Sequence, residues 1–218
     1  MKKYLIIVCF LLSAMGFSQS KAECFCPKSE VTSFQKADTV FFFSNNRQIA
    51  LCGYKEIIDD KNYYSEFVIS ECGSDKIIDF WGATATCLTR FSNDKLNIET
   101  LLPLPLGTDY EYRDFVWSTE SFYYSGNKLQ RNFQINKGIK KYTQNQIQQV
   151  LKAFEKTDAK LNDETMVLCN KLFVAAISNS EKARKYFLDF ETKFGTLDGA
   201  FAEEYNDLKA KLALWNKG

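Results

Sequence analysis

The chain has 218 residues, 45% of them hydrophobic, 15% aromatic and 25% charged, with a formal net charge of +1. Those values belong to a globular chain and exclude a disordered, collagen-like or low-complexity one. There is no histidine, which excludes Ser-His, Cys-His and His-metal chemistry, and the near-neutral charge makes no electrostatic case for nucleic acid or an anionic membrane surface.

The N-terminus reads as a leader. Met1-Lys2-Lys3 is a short positive start, Tyr4 to Leu12 is apolar, and Ser13, Ala14, Gly16, Ser18 and Ser20 are small. This is the three-part pattern of a bacterial secretory signal peptide over residues 1–20, with cleavage after Ser18 or after Ser20. The apolar stretch ends at Phe17, short of the ~20 residues a spanning helix needs. Neither Cys9 nor Cys24 follows a lipobox. A periplasmic or secreted protein without stable membrane insertion is expected.

Six cysteines then remain: Cys24, Cys26, Cys52, Cys72, Cys87 and Cys169. An even number in an exported chain predicts a disulfide framework with at least two bridges. A Cys24–Cys26 bridge is geometrically poor, because one residue separates the two. The other pairings stay open, with at least one of Cys24 and Cys26 tying the N-terminus to the body of the fold. No Cys-x-x-Cys or second cysteine pair supports a redox or zinc site, and no metal or cofactor is expected.

Residues 21–141 read as a β domain. Thr39 to Phe43 ends at Ser44-Asn45-Asn46, Gln48 to Cys52 stops at Gly53, and Tyr63 to Ile69 alternates up to Cys72-Gly73-Ser74-Asp75. Lys76 to Trp81, Thr84 to Phe91 and Lys95 to Leu102 follow, the last ended by Pro103-Leu104-Pro105. Phe115 to Tyr124 and Lys128 to Ile135 flank Ser125-Gly126-Asn127, the clearest hairpin. About eight strands with tight turns and no helical crossovers imply an antiparallel sandwich or barrel.

Residues 142–218 change to a helical period. Thr143 and Gln146 form a capping box before Ile147, Val150, Leu151 and Phe154. Asn162 caps a second helix with an acidic first turn, and Ser178 with Glu181 starts a third that Gly195 ends. Asp198 starts a fourth. The fold class expected is therefore α+β, with a C-terminal bundle of about four helices.

No catalytic signature is present. The carboxylates Asp59, Asp60, Asp109 and Glu111 fall in polar loops and are expected to be solvated. The aromatic residues say more. Tyr63, Tyr64, Tyr110, Tyr112, Trp117, Tyr123 and Tyr124 are too closely spaced for all to point inward. They form either an exposed aromatic face for a protein, peptide or glycan, or a sheet covered on both sides. The sequence thus reads as an exported, non-enzymatic binding module, of which a periplasmic inhibitor or immunity-type protein is one concrete form. The alternative is a glycan hydrolase working with carboxylates alone, which would place two of those four about 5–10 Å apart in a cleft.

Overall fold

A computed structural model of the chain describes residues 23–28, 36–158 and 160–217, and the expected signal peptide lies outside them. Eight strands come first: β1 (Thr39–Phe42), β2 (Gln48–Ile58), β3 (Lys61–Glu71), β4 (Ile77–Trp81), β5 (Thr86–Ser92), β6 (Lys95–Pro105), β7 (Tyr112–Ser125) and β8 (Lys128–Ile135). Five helices follow: α1 (Gln144–Lys156), α2 (Asp163–Ile177), α3 (Glu181–Leu188), α4 (Phe190–Phe194) and α5 (Gly199–Lys217). The class is α+β.

The strands form one antiparallel sheet in the order β1-β2-β3-β5-β6-β7-β8, with β4 paired to β3 beside β5. The expected barrel is not closed, and the expected sandwich is a single sheet instead of two. The reason lies in β3, which changes partner along its length. Tyr63 and Tyr64 pair with β5, whereas Phe67 to Ser70 pair with β4, so β3 ties both strands into one sheet with only Ser65 and Glu66 between the two ladders. The sheet curls instead of splitting. Bulges at Gly53/Tyr54 and Thr100/Leu101 bend it, and Phe43, just past β1, packs edge-on against Phe91 of β5 and Tyr124 of β7.

Two strand ends expected from sequence are overrun. Gly53 does not stop β2. A Cβ there would lie 2.3 Å from that of Phe67, so only glycine admits the bulge that lets β2 continue to Ile58. Pro103 and Pro105 do not stop β6. They share the parity of Glu99 and Leu101, whose main-chain groups point toward β5, and β5 ends at Thr86 opposite Leu101. The N–H groups that prolines lack would have faced no strand.

The helix caps follow the sequence closely at Thr143 and Asn162, both in reciprocal capping boxes. The third helix differs. Ser178 is occupied, its Oγ donating to Val174 O at 2.7 Å and accepting from the Tyr142 N–H at 2.9 Å, and Ser180 caps α3 instead. That helix also breaks at Asp189. The Tyr205 hydroxyl lies 2.7 Å from Phe187 O and 3.1 Å from Leu188 O, taking up carbonyls that a continuous helix would use. The third of the about four helices expected is thereby split, giving five helical segments among the described residues.

Packing divides into three clusters. Ile49, Leu51, Phe67, Ile69, Leu96, Ile98 and Phe122 fill the concave side of the sheet. Ala50, Cys52 and Val68, on the opposite face of β2 and β3, are covered by Cys24 and Cys26. The helices build the third cluster around Leu172, Phe173, Phe187, Phe190 and Tyr205, and draw Leu104 and Trp117 of the sheet into it. Trp117 stacks on Trp215 with centroids 5.6 Å apart and lies 5.8 Å from Phe173. The helical layer is seated on the far ends of β6 and β7.

Candidate functional site

The feature that stands out from this frame is the outer half of the β2–β3 hairpin. β1 pairs with β2 only as far as Leu51, and β5 meets β3 first at Tyr63. Residues 54–58 therefore pair only with residues 61–65 of β3, of which Tyr63 and Tyr64 alone also meet β5, and the hairpin beyond that point projects as a two-stranded arm. Its tip is a two-residue turn in which Asp59 and Asp60 both hold positive φ, 49° and 59°. Aspartate tolerates that region better than most residues, and the turn matches the twist of the flanking strands. The arm carries uncovered apolar side chains: Tyr54 is 67% exposed, Ile57 64% and Ile58 44%. At its base, Tyr54, Glu56, Tyr63, Ser65 and Thr86 line a shallow cleft.

Burial of apolar surface is the main favourable term in both folding and association. Two isoleucines and a tyrosine held in water on a strand pair are unexplained by packing among the described residues. Sequence reasoning missed all three, because it ended the strand at Gly53. The signal was there: β-forming residues sit on both sides of Asp59-Asp60, itself an acceptable hairpin turn.

The aromatic residues singled out from sequence do not gather into one face. Tyr64 is buried in the β core with its hydroxyl on Thr39, and Trp117 is buried under the helices at 2% exposure. Neither presents surface to a partner. Tyr110 packs against Tyr142 and donates to Gln149 Oε1 at 3.0 Å. Tyr124 packs on Phe43 and its hydroxyl is bonded to Glu71. Tyr123 lies under Lys95, 5.0 Å from its ammonium, and Tyr112 is exposed at the start of β7. Only Tyr63 belongs to the arm. Covering by helices on one side and curling on the other accounts for the aromatic density.

Asp59 and Asp60 sit at the exposed tip of the arm, and Asp109 and Glu111 in the exposed β6–β7 loop. A different acidic pair is held together. Arg131 of β8 bridges Glu120 of β7, through Nε at 2.7 Å, and Asp79 of β4 at 2.5 Å. Burial pushes the Glu120 carboxyl above its ordinary range, against the pull of Arg131. Asp79 is bound twice, since its Oδ1 also accepts the N–H of Phe80 at 2.9 Å. This network latches β8 to β4 where no main-chain bond joins them. Among the described residues no group of three or more Cys, Asp or Glu side chains is placed to hold a metal ion.

The two disulfides join Cys24 to Cys72 and Cys26 to Cys52, with Cα separations of 5.3 and 5.8 Å. Cys87 and Cys169 are free and buried, and burial pushes the Cys87 thiol up to about 11. Disulfides of this kind fit a compartment outside the cytoplasm, and no helix among the described residues is long and apolar enough to cross a membrane. Compared with family models, curated proteins and solved structures, the chain matches none.

Proposed function

We propose that this protein is a non-enzymatic binding module of the periplasm or the extracellular space, and that the β2–β3 arm is its contact surface. The observation that carries the reading is the exposure of Tyr54, Ile57 and Ile58 on a strand pair that no other strand among the described residues flanks. A narrow projecting arm with apolar side chains behind an acidic turn suits insertion into a groove of a partner protein, as an inhibitor or immunity-type protein would use. Acidic residues around the tip, Glu56, Asp59 and Asp60, would orient the approach.

The test is site-specific photocrosslinking in the native envelope. A benzophenone side chain at position 57 is expected to trap one partner that the same group at position 97, on the polar side of β6, does not. With the probe kept at position 57, Tyr54→Asp/Ile58→Asp should lose that product with the melting temperature unchanged, because both residues are exposed. Equal products from positions 57 and 97, or none from either, would refute the assignment.

A further inference from the structure

The second surface lies on β8, away from the arm, and does not depend on it. β8 is an edge strand. Its pairing with β7 starts at Ser125↔Lys128 across a two-residue turn, so Lys128, Gln130, Asn132 and Gln134 exchange main-chain bonds with β7. The N–H and C=O groups of Leu129, Arg131 and Phe133 point the other way. Among the described residues they meet no main-chain partner.

Proteins usually blunt such an edge. The facing strand here is blunted, since the Asp79 carboxylate caps the N–H of Phe80. On β8 the Arg131 side chain reaches across to Asp79 of β4, but among the described residues no side chain caps the outward main-chain groups, and Phe133 is 48% exposed beside them.

Along the chain the charge on either side of this edge is one-sided, although Asp79 and Glu120 lie at its middle and Asp114 shares a cleft with Lys140. From Ser121 to Phe154 the chain carries Lys128, Arg131, Lys137, Lys140, Lys141 and Lys152 and no carboxylate, although 27 of its 218 residues are acidic. Arg131 is neutralised by Glu120 and Asp79, and Lys137 is turned onto Trp215. Lys128, Lys140 and Lys141 are exposed and make no ion pair among the described residues. Two of these cations follow the end of the strand and one stands at its start.

We infer that the β8 edge receives an extended acidic segment of a partner protein as an added strand. Main-chain bonds to Leu129, Arg131 and Phe133 would supply affinity, the Phe133 ring an apolar contact, and the lysines at the two ends the preference for carboxylates. β8 spans roughly 25 Å at ~3.3 Å per residue, so the segment would be about eight residues long with its acidic positions near both ends.

The probes are two blocked octapeptides sharing a Thr-Val-Thr-Val centre, one with two glutamates at each end and one with two lysines. Each is titrated into the full-length ¹⁵N-labelled protein. The glutamate peptide should bind saturably, move the amides of Leu129, Arg131 and Phe133 most, and weaken about tenfold when salt is raised from about 50 to 500 mM. The lysine peptide should not bind. A Lys128→Glu/Lys140→Glu/Lys141→Glu variant should weaken the glutamate peptide at least tenfold and admit the lysine one. Phe133→Pro removes an outward N–H that β7 does not use, so it should bind more weakly than Phe133→Ala, which keeps that group. Should Phe133→Pro fail to fold, the lysine variant and the amide shifts decide. Equal binding of both peptides, absence of shifts along β8, or binding only to phosphatidylglycerol vesicles would overturn the inference.

Discussion

Trp117→Ala tests how the helices and the sheet depend on each other. The indole is 2% exposed and touches both Trp215 of α5 and Phe173 of α2. A buried tryptophan removes about 150–250 Å² from water, which at about 25 cal/mol per Å² amounts to roughly 4–6 kcal/mol. Measured truncations of large aromatics centre on about 3–5 kcal/mol, and roughly 4 is a reasonable expectation. For a chain of this size that lowers the melting temperature by about 8–16 °C. Scanning calorimetry gives the total, and hydrogen exchange read by mass spectrometry locates it. If the helical layer and the β6–β7 ends share one core, peptides from β3 and from α3 should lose protection together. Loss confined to the helices, or a total cost below about 1 kcal/mol, would show that the junction at Trp117 is a loose contact.

Gly53→Ala should destabilise by about 1–3 kcal/mol in urea titrations, because the new methyl meets the Phe67 backbone and must open the bulge. Thiol titration of the denatured, unreduced protein lacking residues 1–18 should find two thiols, Cys87 and Cys169, and removing the Cys26–Cys52 pair should cost roughly 2–5 kcal/mol. Alkaline titration has a defined sign. Burial raises the phenols of Tyr64, Tyr124, Tyr142 and Tyr205 above the ordinary 10.0. The folded state favours the neutral phenol, so its contribution is whole below pH 10.0 and is lost as pH rises through the folded values. The part of the 295 nm absorbance that the buried phenols contribute should appear together with the loss of far-UV circular dichroism above about pH 11. Smooth ionisation of all 11 tyrosines near their ordinary value, with the spectrum intact, would contradict the burial.

Strands and helices were legible wherever one residue settled the matter locally. Thr143 and Asn162 cap as read, and the Gly126-Asn127 hairpin has the expected ends. What sequence could not supply was neighbourhood. Pro103 and Pro105 read as breakers until β5 is seen to stop short of them, and Gly53 reads as a stop until the Phe67 backbone is seen behind it. Ser178 is a sound cap by composition, yet Tyr142 and Val174 occupy its hydroxyl. The aromatic face failed for a related reason, since spacing does not reveal that α5 lays Trp215 over Trp117. Charge was lost by averaging: a balance struck over each half of the chain conceals a stretch from Ser121 to Phe154 without a single carboxylate.

The disulfides have a consequence for the arm. Cys52, within β2, and Cys72, just past β3, bracket the outer part of the hairpin, and each is bonded to one of two cysteines that only Phe25 separates. Residues 52–72 and 24–26 therefore make a closed covalent macrocycle, with the exposed tip at one end and Cys24-Phe25-Cys26 as the clasp at the other. A hairpin closed in this way cannot slide its register or splay at the root, so less freedom is lost when its tip docks. It also cannot be released by one cut. Trypsin cleaving after Lys55 or Lys61 should leave the chain in one piece, heavier by one water, until the clasp is reduced.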